Sequence, residues 1–146
     1  MLSLSRNLTS RGEKALSEGE YQIALECFGH ANQQERTPRN CSNLAFCLAK
    51  VQGDFQTAFN LALEALHLDP DNPLHYLNFG RILLLAGHKE QAIQFWRKGL
   101  GHGKCPAIEQ ELEAVGLRKP PVFKSLPRNH FLNRYAGLVG SRLSLR

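Results

Sequence analysis

The chain has 146 residues, 42% of them hydrophobic and 21% charged, which excludes a wholly disordered or collagen-like protein. The formal charge of +5 is unevenly placed: residues 1–117 hold 11 basic and 13 acidic side chains, and residues 118–146 hold seven basic ones and no acid. The longest apolar run is the five residues 82–86, against the roughly 20 that a membrane-spanning helix needs.

The N-terminal stretch MLSLSRNLTSRGEKALSEGE has no continuous apolar core, so it does not read as a secretory signal. Cys27, Cys41, Cys47 and Cys105 show no CxxC spacing and read as reduced, buried thiols of a cytoplasmic protein. Apolar residues at helical spacing predict helices at about 5–17, 21–34, 39–52, 55–68, 73–86 and 89–100. Gly87-His88 is a short turn between the last two, because glycine supplies the positive φ that stops a helix. Gly80 and Ala92 are expected to face each other across that hairpin, with Tyr76, Phe79 and Trp96 filling the wider spaces. Asp69-Pro70-Asp71-Asn72-Pro73 is a stop-and-restart signal between hairpins. No strand pattern is present.

The hairpins repeat. Gly19, Gly53 and Gly87 are spaced by 34 residues, and Ala24, Ala58 and Ala92 follow in the same register. So do Phe28, Ala62 and Trp96, and then Ala31, Ala65 and Gly99. One further column holds Gly12 and Gly80 but Phe46 in the middle unit.

On these residues the chain resembles the tetratricopeptide repeat family, in three units at 5–38, 39–72 and 73–106. Three features depart from the pattern: Phe46 for a small residue, Ser42 for an aromatic one, and no Leu-Asp-Pro ending in the first unit. The resemblance implies an all-α, α–α superhelical solenoid whose first helices line a concave groove. It implies a non-enzymatic scaffold that binds a peptide or amphipathic helix of another protein. By family position the groove holds Arg6, Thr9, Glu13, Leu16 and Ser17 in the first unit. The second contributes Asn40, Asn43, Cys47, Lys50 and Val51, and the third Leu74, Leu77, Arg81, Leu84 and Leu85. The partner-binding residues are thus expected to be Asn40, Asn43, Cys47, Lys50, Leu74, Leu77, Arg81 and Leu84. Some relatives clamp a chaperone's C-terminal carboxylate with Lys and Asn. The matching positions here hold Thr9, Glu13, Leu44, Leu74 and Asn78, so that clamp is not expected.

Residues 107–117 read as a capping helix with Ile108, Leu112 and Val115 on one stripe. Residues 118–146 read as a basic linker through Pro120-Pro121 and then an amphipathic helix. Its contact face would be Phe131, Leu132, Tyr135 and Leu138. Three uses are open: docking on the chain's own repeats, binding a neighbouring protein, or contact with an anionic membrane surface or nucleic acid. Nucleic acid is disfavoured, since nothing beyond charge supports it. The four leucines of the third groove unit need cover from a partner or from this tail.

The remaining constellations point to no chemistry. Residues 99–104 imitate a phosphate loop, but they follow a helix, Lys98 stands where glycine is needed, and Cys105 replaces Ser or Thr. The six histidines form no i,i+4 pair. No catalytic residue, metal or cofactor is expected, and the sequence leaves the oligomeric state open between monomer and weak dimer.

Overall fold

The structure, a computed structural model, describes residues 2–116. All regular structure among them is helical: α1 (Leu2–Ser17), α2 (Tyr21–Gln34), α3 (Pro38–Cys47), α4 (Phe55–Leu68), α5 (Pro73–Leu85), α6 (Lys89–Leu100) and α7 (Pro106–Ala114). The helices pack as hairpins α1–α2, α3–α4 and α5–α6, each hairpin on the next, and α7 closes the stack against α6. This is an α–α superhelix, with α1, α3 and α5 as its inner layer.

The turns inside the hairpins depend on glycine. Gly19, Gly53 and Gly87 have φ of 74°, 65° and 89°, a region that costs L-residues energy. The starts depend on caps. The Thr37 side chain accepts the Asn40 N–H, Asp54 accepts that of Thr57, and Asn72 accepts that of Leu74. Pro38 and Pro73 occupy the first helical turn, where a missing N–H costs nothing.

Packing inside the hairpins is large against small. The Trp96 ring lies over Gly80, where any added Cβ would be driven into it, and the Phe28 ring lies over Gly12 in the same way. Trp96 is thus the side chain nearest to Gly80 across the hairpin. Its indole N–H donates to the Leu77 carbonyl (3.1 Å). One core joins α3 to α7 around Phe59, Tyr76, Phe79, Phe95, Trp96 and Ile108. A smaller one holds Ala15, Ala24, Leu25, Phe28 and Cys47 under α1 and α2.

The middle unit departs from its neighbours. Helix α3 is followed at once by a π-helical turn, Leu48–Gln52, which ends at Gly53. The first and third units close with bonds from Glu20 N–H to Ala15 O and from His88 N–H to Leu83 O. The equivalent bond here runs from Asp54 N–H to Leu48 O and encloses one residue more. The count agrees: Pro38 to Gly53 spans one residue more than Pro73 to Gly87. The expected single helix 39–52 is thus an α-helix with an inserted residue, and everything before the insertion is turned by one position. Ala45, fully buried, takes the small-residue slot that the 34-residue register assigns to Phe46.

The junction into the third unit is fixed by polar contacts. His75 is 1% exposed, and its Nε2–H donates to the Asp69 carboxylate (3.0 Å), while Tyr76 Oη donates to the Pro70 carbonyl (2.8 Å). Burial, more than the opposing pull of Asp69, holds the His75 imidazole below its ordinary value. Its Nδ1 has no partner among the described residues. A group with a depressed folded pKa takes up its proton more readily unfolded, so its contribution is complete above about pH 6.5 and is lost as pH falls below it. Thermal melts are expected to show a lower Tm at pH 5.5 than at 7.5, with the difference reduced in His75→Gln. An unchanged difference in that variant would assign the pH dependence to other groups.

Candidate functional site

The inner face divides into two regions. At its N-terminal end, a cleft of about 450 Å³ runs between α1 and the start of α3. Its wall is polar, including Arg6, Thr9, Glu13, Arg39 and Asn40. Four of those groups already have partners. Thr9 Oγ1 donates to Asn40 Oδ1 (2.8 Å), Asn40 Nδ2 donates to the Glu35 carbonyl (3.0 Å), and Arg39 pairs with Glu13.

The second region is a pocket of about 200 Å³ at the middle of the concave face. It is lined by Leu16, Tyr21, Phe46, Lys50, Arg81, Leu84, Leu85 and Glu111, which come from α1, α2, α3, the π turn, α5 and α7. Tyr21 and Phe46 meet edge to face with ring centroids 6.0 Å apart. Lys50 Nζ stands 5.2 Å from the Tyr21 centroid, and the Arg81 guanidinium 5.3 Å from that of Phe46. Each cation therefore rests on an aromatic face, a contact worth about 0.5–2 kcal/mol depending on exposure. Arg81 Nε also donates to Glu111 Oε1 across from α7 (2.9 Å). Leu85 on the pocket wall is 38% exposed, and Val51, next to Lys50 in the chain, is 36% exposed.

The π turn builds this arrangement. The one-residue shift places Phe46 where the neighbouring units carry Glu13 and Arg81, that is, on the inner face. Single π turns recur at functional sites because they re-aim the side chains of the preceding helix.

The residues singled out by family position separate into two groups. Lys50, Arg81 and Leu84 meet at the pocket, joined by Leu16 and Leu85 from the wider set. Leu74 is half-buried against the main core. Asn40, Asn43, Cys47 and Leu77 are buried, at 2%, 3%, 0% and 4% exposure. Asn43 and Ser42 instead accept hydrogen bonds from Asn78 Nδ2 (3.0 and 2.9 Å), joining α3 to α5. Burial and the neighbouring Cys27 push the Cys47 thiol up to about 12, far from reactive thiolate chemistry. The expected leucine patch is mostly covered: Leu77 is buried, Leu74 and Leu84 pack partly buried against the main core, and Leu85 is exposed. The tail contact face Phe131, Leu132, Tyr135 and Leu138 lies outside the described residues.

Tyr21, Phe46 and Glu111 were not among the expected groove residues. The signal for Phe46 was the unequal Pro-to-Gly count. Glu111 had none, since nothing local shows that α7 turns back to face Arg81. Among the described residues no three His, Cys, Asp or Glu side chains gather to hold a metal ion, and no helix is long and apolar enough to cross a membrane.

Comparison with known proteins gives a consistent picture. Residues 61–94 match the family model described as tetratricopeptide repeat. The small glutamine-rich tetratricopeptide repeat-containing protein 2 of Mycosarcoma maydis is 28% identical over 100 residues, covering 68% of this chain. This chain spans only 28% of that protein's length. The photosystem I assembly protein Ycf3 of Synechococcus elongatus is 29% identical over 131 residues, covering 77% of this chain and 76% of its own. Among solved structures, the Sgt2 TPR domain of Aspergillus fumigatus has the same fold, with a TM-score of 0.59 at 22% identity. That match covers 89% of this chain and 93% of the other.

Proposed function

We propose that the chain, which is similar to tetratricopeptide repeat proteins, is an interaction scaffold holding a segment of another protein along its concave face, seated at the Lys50–Tyr21–Phe46–Arg81 pocket. The observation that carries this reading is the pocket itself. Two cations, two aromatic rings and three leucines converge on one open cavity from helices far apart in sequence. Aromatic and Arg side chains at the centre of a concave patch are what interfaces use as anchors. The polar cleft at the N-terminal end supplies orienting contacts, and the exposed Leu85 supplies apolar area. An extended peptide or one face of an amphipathic helix fits a trough of this kind. The kinship with an assembly protein and with a Sgt2-type repeat domain favours the same class of role.

The reading is tested by affinity capture with the full chain and with the double variant Lys50→Glu/Leu85→Asp. Both sites are exposed, so the variant is expected to keep its helical content and to lose the captured partner by at least about tenfold, as removal of interface anchors does. Equal capture by a folded double variant places the partner elsewhere.

A further inference from the structure

The pocket carries one feature that a plain peptide trough does not need: a carboxylate of the chain itself is already inside it. Its wall holds two cations, Lys50 and Arg81, and one acid, Glu111. Glu111 accepts from Arg81 Nε (2.9 Å), and both side chains are about one-quarter exposed. Lys50 lies on the Tyr21 ring, 5.2 Å from its centroid. The rest of the wall is apolar: Leu16, Leu84, Leu85 and the two rings.

We propose that the pocket takes an acidic peptide, a carboxylate flanked by an apolar side chain, and that Glu111 is an internal stand-in which the partner's carboxylate displaces from Arg81. This rests on the concave-face reading given above. Charge complementarity selects the occupant, because a wall with two cations and one acid is left with an uncompensated positive charge. A carboxylate brought to Lys50 and Arg81 neutralises it, and the leucines receive the neighbouring apolar group. The chain's own residues 118–146, with seven basic side chains and no acid, have the wrong sign for this pocket. The Arg81–Glu111 pair then has a regulatory consequence. It keeps Arg81 seated on Phe46 in the free protein, which pre-organises the donor, and it sets a threshold that a weakly acidic segment does not pass.

The experiment is fluorescence anisotropy with the full chain and two labelled probes, a short peptide alternating leucine and aspartate and the same peptide with asparagine for aspartate. The aspartate peptide is expected to bind more tightly, and to weaken with added salt. Lys50→Gln and Arg81→Gln are each expected to weaken it roughly fivefold to tenfold, as loss of a charge-assisted hydrogen bond does. Glu111→Gln, nearly isosteric and partly exposed, is expected to tighten it about threefold, because the competing carboxylate is gone. Lys50 is exposed, so its variant tests the anion site even where a change at Arg81 disturbs the fold. Equal binding of the two peptides, or no gain in Glu111→Gln, overturns the proposal. If the asparagine peptide binds equally well and perturbs Leu84 and Leu85, the groove reading survives that failure. If neither peptide binds and the native partner contacts another face, both fall.

Discussion

Replacing Trp96 with alanine is expected to lower stability by about 3–5 kcal/mol, the range for removing a large aromatic from a packed core. Trp96 has no exposure. Its ring fills the space above Gly80, and its N–H donates to the Leu77 carbonyl of α5. Alanine leaves a cavity that Gly80, with no side chain, does nothing to fill, and it removes the hydrogen bond that ties α6 to the α5 backbone. Trp96→Phe keeps most of the volume and is expected to cost less than Trp96→Ala. Because Trp96 is the single tryptophan, urea unfolding should be followed by circular dichroism. A repeat array transmits damage mainly to nearest neighbours, so the loss should fall first on α5, α6 and α7. A Trp96→Ala protein as stable as the parent would show that the indole does not order this hairpin.

Asn78→Ala is expected to cost about 2–3 kcal/mol. The Asn78 side chain is wholly buried and donates to both Ser42 and Asn43, so its removal leaves two buried acceptors without their donor. This is the polar junction between the second and third repeats. Its loss is expected to unlink the α3–α5 contact without emptying either apolar core. A double-mutant cycle with Asn43→Ala should give a coupling well above zero, since the two residues share a bond. Strict additivity would contradict the assignment.

Much of the architecture was legible from residues that act locally. Gly19, Gly53 and Gly87 mark turns because glycine tolerates the positive φ found there. Asp69-Pro70-Asp71-Asn72-Pro73 marks a boundary because Asn72 caps α5 and Pro73 starts it. The column of Gly12 and Gly80 announced close packing, although the bulky partners proved to be Phe28 and Trp96.

The site was less legible, for two physical reasons. The equal glycine spacing concealed a compensation. One extra residue in the second repeat's first helix is absorbed by a π turn, and the family positions before it shift by one. Asn40, Asn43 and Cys47 were therefore assigned by family position to the groove and are buried, as the thiol reading of Cys47 had it, while Phe46 moved from a packing slot to the pocket. The second reason is tertiary. Whether Asn43 serves a partner or the next repeat depends on Asn78, and whether Arg81 is free depends on Glu111 in a helix that no repeat pattern covers.

The most direct test of the concave-face reading is the footprint of the native partner segment on isotope-labelled protein by NMR. Binding is expected to shift the signals of Phe46, Lys50, Arg81, Leu84 and Leu85, with smaller changes along Arg6, Thr9 and Arg39. Outer-layer residues such as Ile23 and Leu68, which are 47% and 58% exposed, should stay in place. Shifts gathered on Ile23 and Leu68, with the pocket residues unmoved, would contradict it.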